Sequence, residues 1–423
     1  MLDRTQPPYI HTIDHLELPM PDIVHLDNGI PVYVTSMGTQ DVIRLEIVFD
    51  AGRPFEKKRL ASRATAALLK EGTERHNAAE LAETLDFFGA SLSQPFHLDT
   101  GNLVLYCLLR QFEEVLPLFT EMLDCPVFPE DELQSFIRRN QKSLKTDLAK
   151  TDVVAYRTIT EKIFGEDHPY GYNSSVETYG QLERSDLLAH FERCYGIDNC
   201  RIFLSGKVNK DVIRALNHHL GQLSRTGKPI SNSMEVTAPA TGFCKIDHPE
   251  SVQTAVRIGS RLFNRHHPDY SGFFVLNTIL GGYFGSRLMA NIREEKGYTY
   301  NIYSSVDVMR HDGSFYIGTE VGNEFTADTI LQIREELVTL MEEPVEEEEL
   351  SMVRNYIMGN FLSMLDGPFN VSELVRTLVN DELPFSYFSE LVEKVGTIQA
   401  QELQELANKY LRPDDQWEVI VGK

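Results

Sequence analysis

Arg293 and Tyr300 lie seven positions apart in GGYFGSRLMANIREEKGYTYNIYSS (Gly281 to Ser305). The first is a permanent cation with a fork of N–H donors, the second a neutral O–H donor. Presented together, they offer hydrogen-bond donors to acceptor oxygens. A purely structural reading stands beside this one: a helix-end arginine that complements the helix dipole, followed by a half-buried strand tyrosine. Other catalytic patterns are missing. There is no GxSxG, no GK[ST] after the glycines and no CxxC. Cys194 and Cys200 have no readable histidine–acid context. The pairs His218–His219 and His266–His267 are sequence neighbours, which point apart on a helix or strand and so do not read as metal ligands.

The elements around the pair are legible. Leu288 and Ile292, four apart, pin a short helix to a core, and Gly297 permits the left-handed residue that ends it. Beyond it, Tyr300, Ile302 and Ser304 are expected on one face of a strand, with Thr299, Asn301 and Tyr303 on the other.

The whole chain repeats one plan. VIRLEIVFDAG (Val42 to Gly52) matches SVQTAVRIGS (Ser251 to Ser260), and Cys125 to Leu144 matches Glu342 to Phe361. His190 to Lys207 matches Leu406 to Lys423, each reading helix, tyrosine, turn, strand, Gly-Lys. In the first half, Asn77 and Glu80 form a capping pair for a helix striped by Leu81, Leu85 and Phe88 and stopped by Gly89. Two strand-like runs and a helix at FEEVLPLFTEMLDC follow. In the second, Leu350, Val353, Ile357 and Phe361 stripe one helix, and Ile330, Ile333, Leu337 and Leu340 another. The expected fold is α+β: two similar α/β-sandwich domains, 21–222 and 243–423, joined by a Ser/Thr/Pro/Gly-rich linker at 223–242, each with helices on one sheet face.

GGYFGSRLMANIREEKGYTY resembles the second-domain signature of the pitrilysin/insulinase zinc metallopeptidases, in which glycines, SRL, an IRE-type helix end and Gly-x-x-Tyr follow in that order. The repeat, the linker and the length of a half-size subunit resemble that family too, from about Pro21 to Lys423. The resemblance implies a pitrilysin-like fold in both halves, and that Arg293 and Tyr300 bind substrate backbone carbonyls near the scissile bond.

The same resemblance implies a zinc site that this sequence lacks. Active members carry HxxEH on the first helix of the first domain, with a distal glutamate about 75 residues on. The family pattern lays onto Leu60 to Thr73 without a gap: the histidine positions become Arg63 and Ala67, and the glutamate becomes Ala66. Ile137 to Asp147, where the distal ligand falls, holds no glutamate. The resemblance therefore implies a non-catalytic, substrate-binding subunit that binds no metal or other cofactor itself. It would complete the active site of an HxxEH-bearing homologous subunit, zinc being on that partner, and act on extended or unfolded peptides. A structural scaffold subunit, like the respiratory-complex core proteins, and a homodimeric peptide binder that does not cut are the alternatives.

Bulk properties narrow the remainder. The chain has 423 residues, 42% hydrophobic and 24% charged, and a net charge of −23, which argues against nucleic acid or an anionic membrane surface as main partner. The longest apolar runs fall far short of a membrane span. The first residues do not read as a secretory signal, and five cysteines without a pairing pattern fit a reducing compartment, so a cytoplasmic location is expected.

Overall fold

The computed structural model describes residues 15–227 and 229–423. Strands β1 (Asp22–His25), β2 (Pro31–Ser36), β3 (Val42–Phe49), β4 (Ser91–Ser93), β5 (Gly101–Leu108) and β6 (Cys200–Gly206) form one sheet in the order β1-β2-β6-β3-β5-β4. Strands β7 (Gly242–Asp247), β8 (Gln253–Leu262), β9 (Ile302–Val308), β10 (Gly313–Gly322) and β11 (Trp417–Gly422) form a second, in the order β7-β11-β8-β10-β9. Pairing senses correspond strand for strand. The β2–β6 and β7–β11 pairs are parallel, and the remaining matched neighbours are antiparallel. The weak sequence repeat is thus a repeat of sheet topology, with β1 added to the first copy.

Local signals set the helices. Helices α1 (Ala61–Leu68) and α2 (Ala78–Phe87) lie between β3 and β4; α3 (Phe112–Asp124), α4 (Glu130–Asp147) and α5 (Thr151–Phe164) follow β5. At the start of α2 the Asn77 side chain accepts from the Glu80 N–H and the Glu80 carboxylate accepts from the Asn77 N–H. Gly89 ends this helix at φ +62°. In the second half, Leu350, Val353, Ile357 and Phe361 are buried along the helix Glu347–Met364, as their stripe predicts.

The expectation of helices on a single sheet face is corrected. Each sheet is covered on both faces, and the second cover comes from the other half of the chain. Helix α5 lies across β8, β10 and β11, while the helix Gly367–Asn380 lies across β2 and β6. Ala155, Ile159 and Ile163 of α5 pack with Ala255, Val419 and Val421. Val48 and Phe203 of the first sheet join the second-half core with Val371 and Val375. β3 is accordingly buried along nearly its whole length, including the charged Arg44 and Glu46 on the face turned to the other half.

Continuous burial leaves the charged residues of β3 and β8 in need of partners. Glu46 of β3 lies opposite Phe203, and Arg257 of β8 lies opposite Val419; each of those partners is three residues before the final glycine of its strand. The two charges therefore occupy the same place in the repeated sheet, with opposite sign. Glu46 is fully buried and takes Arg44 at 2.7 Å, Asn102 at 2.7 Å and, from the other half, Arg376 at 3.2 Å. Arg257 is 1% exposed and pairs with Asp152 on α5, again from the other half. Gly318, directly across from it, leaves the room the guanidinium occupies. Removing one partner of a buried charge leaves the other desolvated and unmet, at a cost of a few kcal/mol. Asp152 is itself half-exposed, which discounts the effect. Asp152→Ala is expected to lower unfolding stability by about 2 kcal/mol in urea titration, and a loss below a few tenths would show that the pair does not hold α5 to the second sheet.

Candidate functional site

Arg293 is carried by a wide helical segment, Met289–Glu295, that ends with the Lys296 N–H donating to the Asn291 carbonyl five residues back. Such wide turns recur at functional sites because they re-aim side chains. Leu288, Met289 and Ile292 anchor the segment in the core. A neighbouring helical turn, Thr278–Gly282, presses on β9: a side chain at Gly281 would place its Cβ 2.4 Å from the Ser304 nitrogen. Only glycine permits that approach, which fixes the turn to the strand that Tyr300 precedes. Gly297 closes the segment at φ +67°, as expected.

The arginine so placed has no hydrogen bond or ion pair among the described residues. Its guanidinium lies 4.5 Å from the ring centroid of Phe284, which is itself 63% exposed. The expectation for the tyrosine is corrected in one respect. β9 begins at Ile302, so Tyr300 lies before the strand and is 89% exposed rather than half-buried. The cause is local. Thr299 Oγ1 donates to the Glu320 carbonyl at 2.7 Å and accepts from the Asn301 N–H at 3.1 Å, a turn that shows the phenol to solvent. Ile302 and Ser304 do turn inward as expected. Phe284 was not singled out in the sequence; its only signal is an aromatic residue set next to Gly285, just ahead of the helix.

The zinc positions resolve on α1. Ala66 is buried and Ala67 packs on the first-half core, so both serve packing. Arg63 is half-buried, with its guanidinium 5.4 Å from the Phe96 centroid and no hydrogen bond among the described residues. Helix α4, which carries the position of the distal ligand, packs against α1, but Asn140 donates to Phe136 O and Gln141 to Val176 O there. Among the described residues no three or more His, Cys, Asp or Glu side chains gather where a metal could be held. A cation and two methyl groups do not fit zinc. Among the described residues no hydrogen bond, ion pair or cation–π contact joins Arg63 to Arg293 or Tyr300.

A family model described as "Peptidase M16 inactive domain" matches residues 181–357. "Uncharacterized zinc protease YmxG" of Bacillus subtilis is 21% identical over 401 residues, covering 92% of this chain and 95% of that protein. "Non-peptidase homolog YmxG" of Helicobacter pylori is 21% identical, covering 84% and 83%. A solved peptidase M16 inactive domain from Pseudomonas fluorescens superposes with a TM-score of 0.87 at 22% identity, covering 95% and 98%. Residues 181–357 thus match the M16 inactive domain, and the chain is similar to M16-type proteins over most of its length. The HxxEH zinc motif is absent from its sequence. No helix among the described residues is long and apolar enough to cross a membrane.

One histidine–thiol pair escaped the sequence reading. His190 and Cys194, one turn apart on the helix Arg184–Cys194, meet with Sγ 3.8 Å from Nδ1. This is not a nucleophile. Both groups are buried, burial raises the thiol's pKa, and His190 Nε2 donates to the Ala51 carbonyl at 2.9 Å. Burial also pulls the His190 pKa down from 6.5 to about 4. Between those values the unfolded chain binds a proton that the folded chain refuses. Stability therefore falls as pH drops through that window, by about 3 kcal/mol in full. His190→Gln keeps a donor for Ala51 and removes the titration. The variant is expected to lose less stability than the parent between pH 7 and pH 4.5 in urea titration, and parallel losses would contradict the assignment.

Proposed function

We propose that this chain is the substrate-binding, non-catalytic subunit of a two-chain zinc peptidase acting on extended or unfolded peptides, with zinc and its HxxEH ligands on a homologous partner. The observation that carries the reading is the free Arg293 guanidinium with the 89% exposed Tyr300, in a chain whose own zinc positions are Arg63, Ala66 and Ala67. A guanidinium with no internal partner and a phenol in water contribute little to the fold. Their fit is to oxygen atoms arriving from outside.

The neighbouring strand supports the same reading. β9 is the last strand of its sheet, and an edge strand can take an extended peptide by main-chain hydrogen bonding. Arg293 and Tyr300 stand at its entrance, positioned to hold carbonyl oxygens and to favour the charge that develops when a partner's zinc-bound water attacks. The net charge of −23 suits neither nucleic acid nor an anionic membrane. Five unpaired thiols suit work in a reducing compartment such as the cytoplasm.

The test is hydrolysis of a quenched fluorescent peptide by the chain alone and after mixing with the HxxEH-bearing homologue of the same genome. Activity is expected only in the mixture. There Arg293→Ala should lower kcat/KM by about 100-fold and Tyr300→Phe by about tenfold, without loss of the complex on size exclusion. An unchanged rate for Arg293→Ala, or cleavage by the chain alone, would sink the proposal.

A further inference from the structure

The degenerate zinc site has been rebuilt around positive charge. From Arg53 to Lys70 the chain places six basic residues, Arg53, Lys57, Lys58, Arg59, Arg63 and Lys70, against a single acid, Glu56, within a protein of net charge −23. Three of these cations are stacked through two aromatic rings. The Arg63 guanidinium lies 5.4 Å from the Phe96 centroid, and Arg53 lies 5.9 Å from the same ring. Arg53 lies 4.3 Å from the Tyr172 centroid, and Arg59 5.2 Å from that ring. The order is Arg63, Phe96, Arg53, Tyr172, Arg59.

Like charges gathered in this way repel, and ring faces offset the repulsion only in part. Internal counter-charge is scarce. Among the described residues Arg59 is the one of the three with an ion pair, to the exposed Asp167, and Arg53 is met by the Pro169 and Tyr172 carbonyls. Glu56 is committed elsewhere: one oxygen accepts from the Tyr172 hydroxyl, the other from the Ser62 N–H at the start of α1. Burial raises its pKa, which weakens it as a counter-ion. Arg63 has no polar partner among the described residues and sits in the first turn of α1, where the helix dipole adds to the positive potential. Phe96 is 47% exposed and lines a cavity of about 480 Å³ between the two halves, so the Phe96 ring of the stack is reached from that cavity.

We infer that the Arg63–Phe96–Arg53–Tyr172–Arg59 stack is a carboxylate-binding site for peptides, placed where active relatives hold zinc. Arg63 supplies donors that no polar group among the described residues takes, with Phe96 within cation–π reach, and a guanidinium matches a carboxylate in bidentate fashion. A peptide carries carboxylates in two ways, as Asp or Glu side chains and as its C-terminus. The short strand β4 ends the first sheet beside Phe96, so an extended chain has an edge to lie on. That the ligand is a peptide rests on the proposed function; that it is a carboxylate does not.

Fluorescence anisotropy on the intact chain tests this with three rhodamine-labelled nonapeptides of serine and alanine. One has three glutamates and an amidated end, one three glutamines and a free carboxyl end, and one three glutamines and an amidated end. At least one carboxylate probe should bind about tenfold more tightly than the fully neutral one, and more weakly as salt rises. Which of the two binds identifies the source. Arg63→Gln should abolish the difference, and Arg63→Met, which keeps the stem on Phe96, should do the same with an unchanged Tm. Arg293→Ala should leave it intact, which separates this site from the one in the second half. Equal binding of all three probes overturns the inference. So does an equal loss in Lys142→Gln, which alters an exposed cation on α4 and would show only diffuse attraction.

Discussion

The exchange of one helix between the halves is the constraint on which the rest depends. Each sheet buries one face under helices of its own half and the other under a helix from the opposite half, α5 on one side and Gly367–Asn380 on the other. Neither sheet can bury both faces without the other half present. The buried charges at matching positions follow the same logic. Glu46 is met by Arg376 and Arg257 by Asp152, each across the exchange. Two polar contacts of opposite sense, in the middle of otherwise apolar surfaces, favour this pairing of halves over a slipped one.

That rigid frame explains how the two motif regions differ. In the second half, Gly281 locks the turn to β9 and Thr299 turns the chain at its start, so the backbone is held while Arg293 and Tyr300 stay unpartnered. In the first half the two alanines serve packing, and the arginine is gathered into a stack of rings and cations. On the proposed reading, the second half keeps a site for oxygen atoms from outside. The first half carries Arg63, Ala66 and Ala67 where the resemblance places the zinc motif.

Much of this was legible in the residues. The capping pair Asn77–Glu80, the stops at Gly89 and Gly297, the stripes on the second-half helices and the repeat of strand order are local or periodic signals, and local physics decided them. The loss of the zinc set was equally legible, since it needs only residue identity at fixed spacing. Three features were not. The second cover on each sheet depends on contacts more than 90 residues apart in sequence, such as Arg257 with Asp152. Tyr300 left its expected strand face because of a hydroxyl bonded to Glu320, on a neighbouring strand. The His190–Cys194 pair shows helical spacing in the sequence, but only burial determines that it is inert.

The sequence by itself determined the elements, their repeated order, the loss of the HxxEH motif and the presence of an arginine and a tyrosine at a family spacing. These follow from short-range sterics, hydrophobic period and the chemistry of single side chains. Only the tertiary structure decided which of those side chains are free. Among the described residues the half-buried Arg293 has no ion pair, whereas the buried Arg257 is neutralised by Asp152. The difference is whether a distant part of the chain delivers a carboxylate, and that is a property of packing.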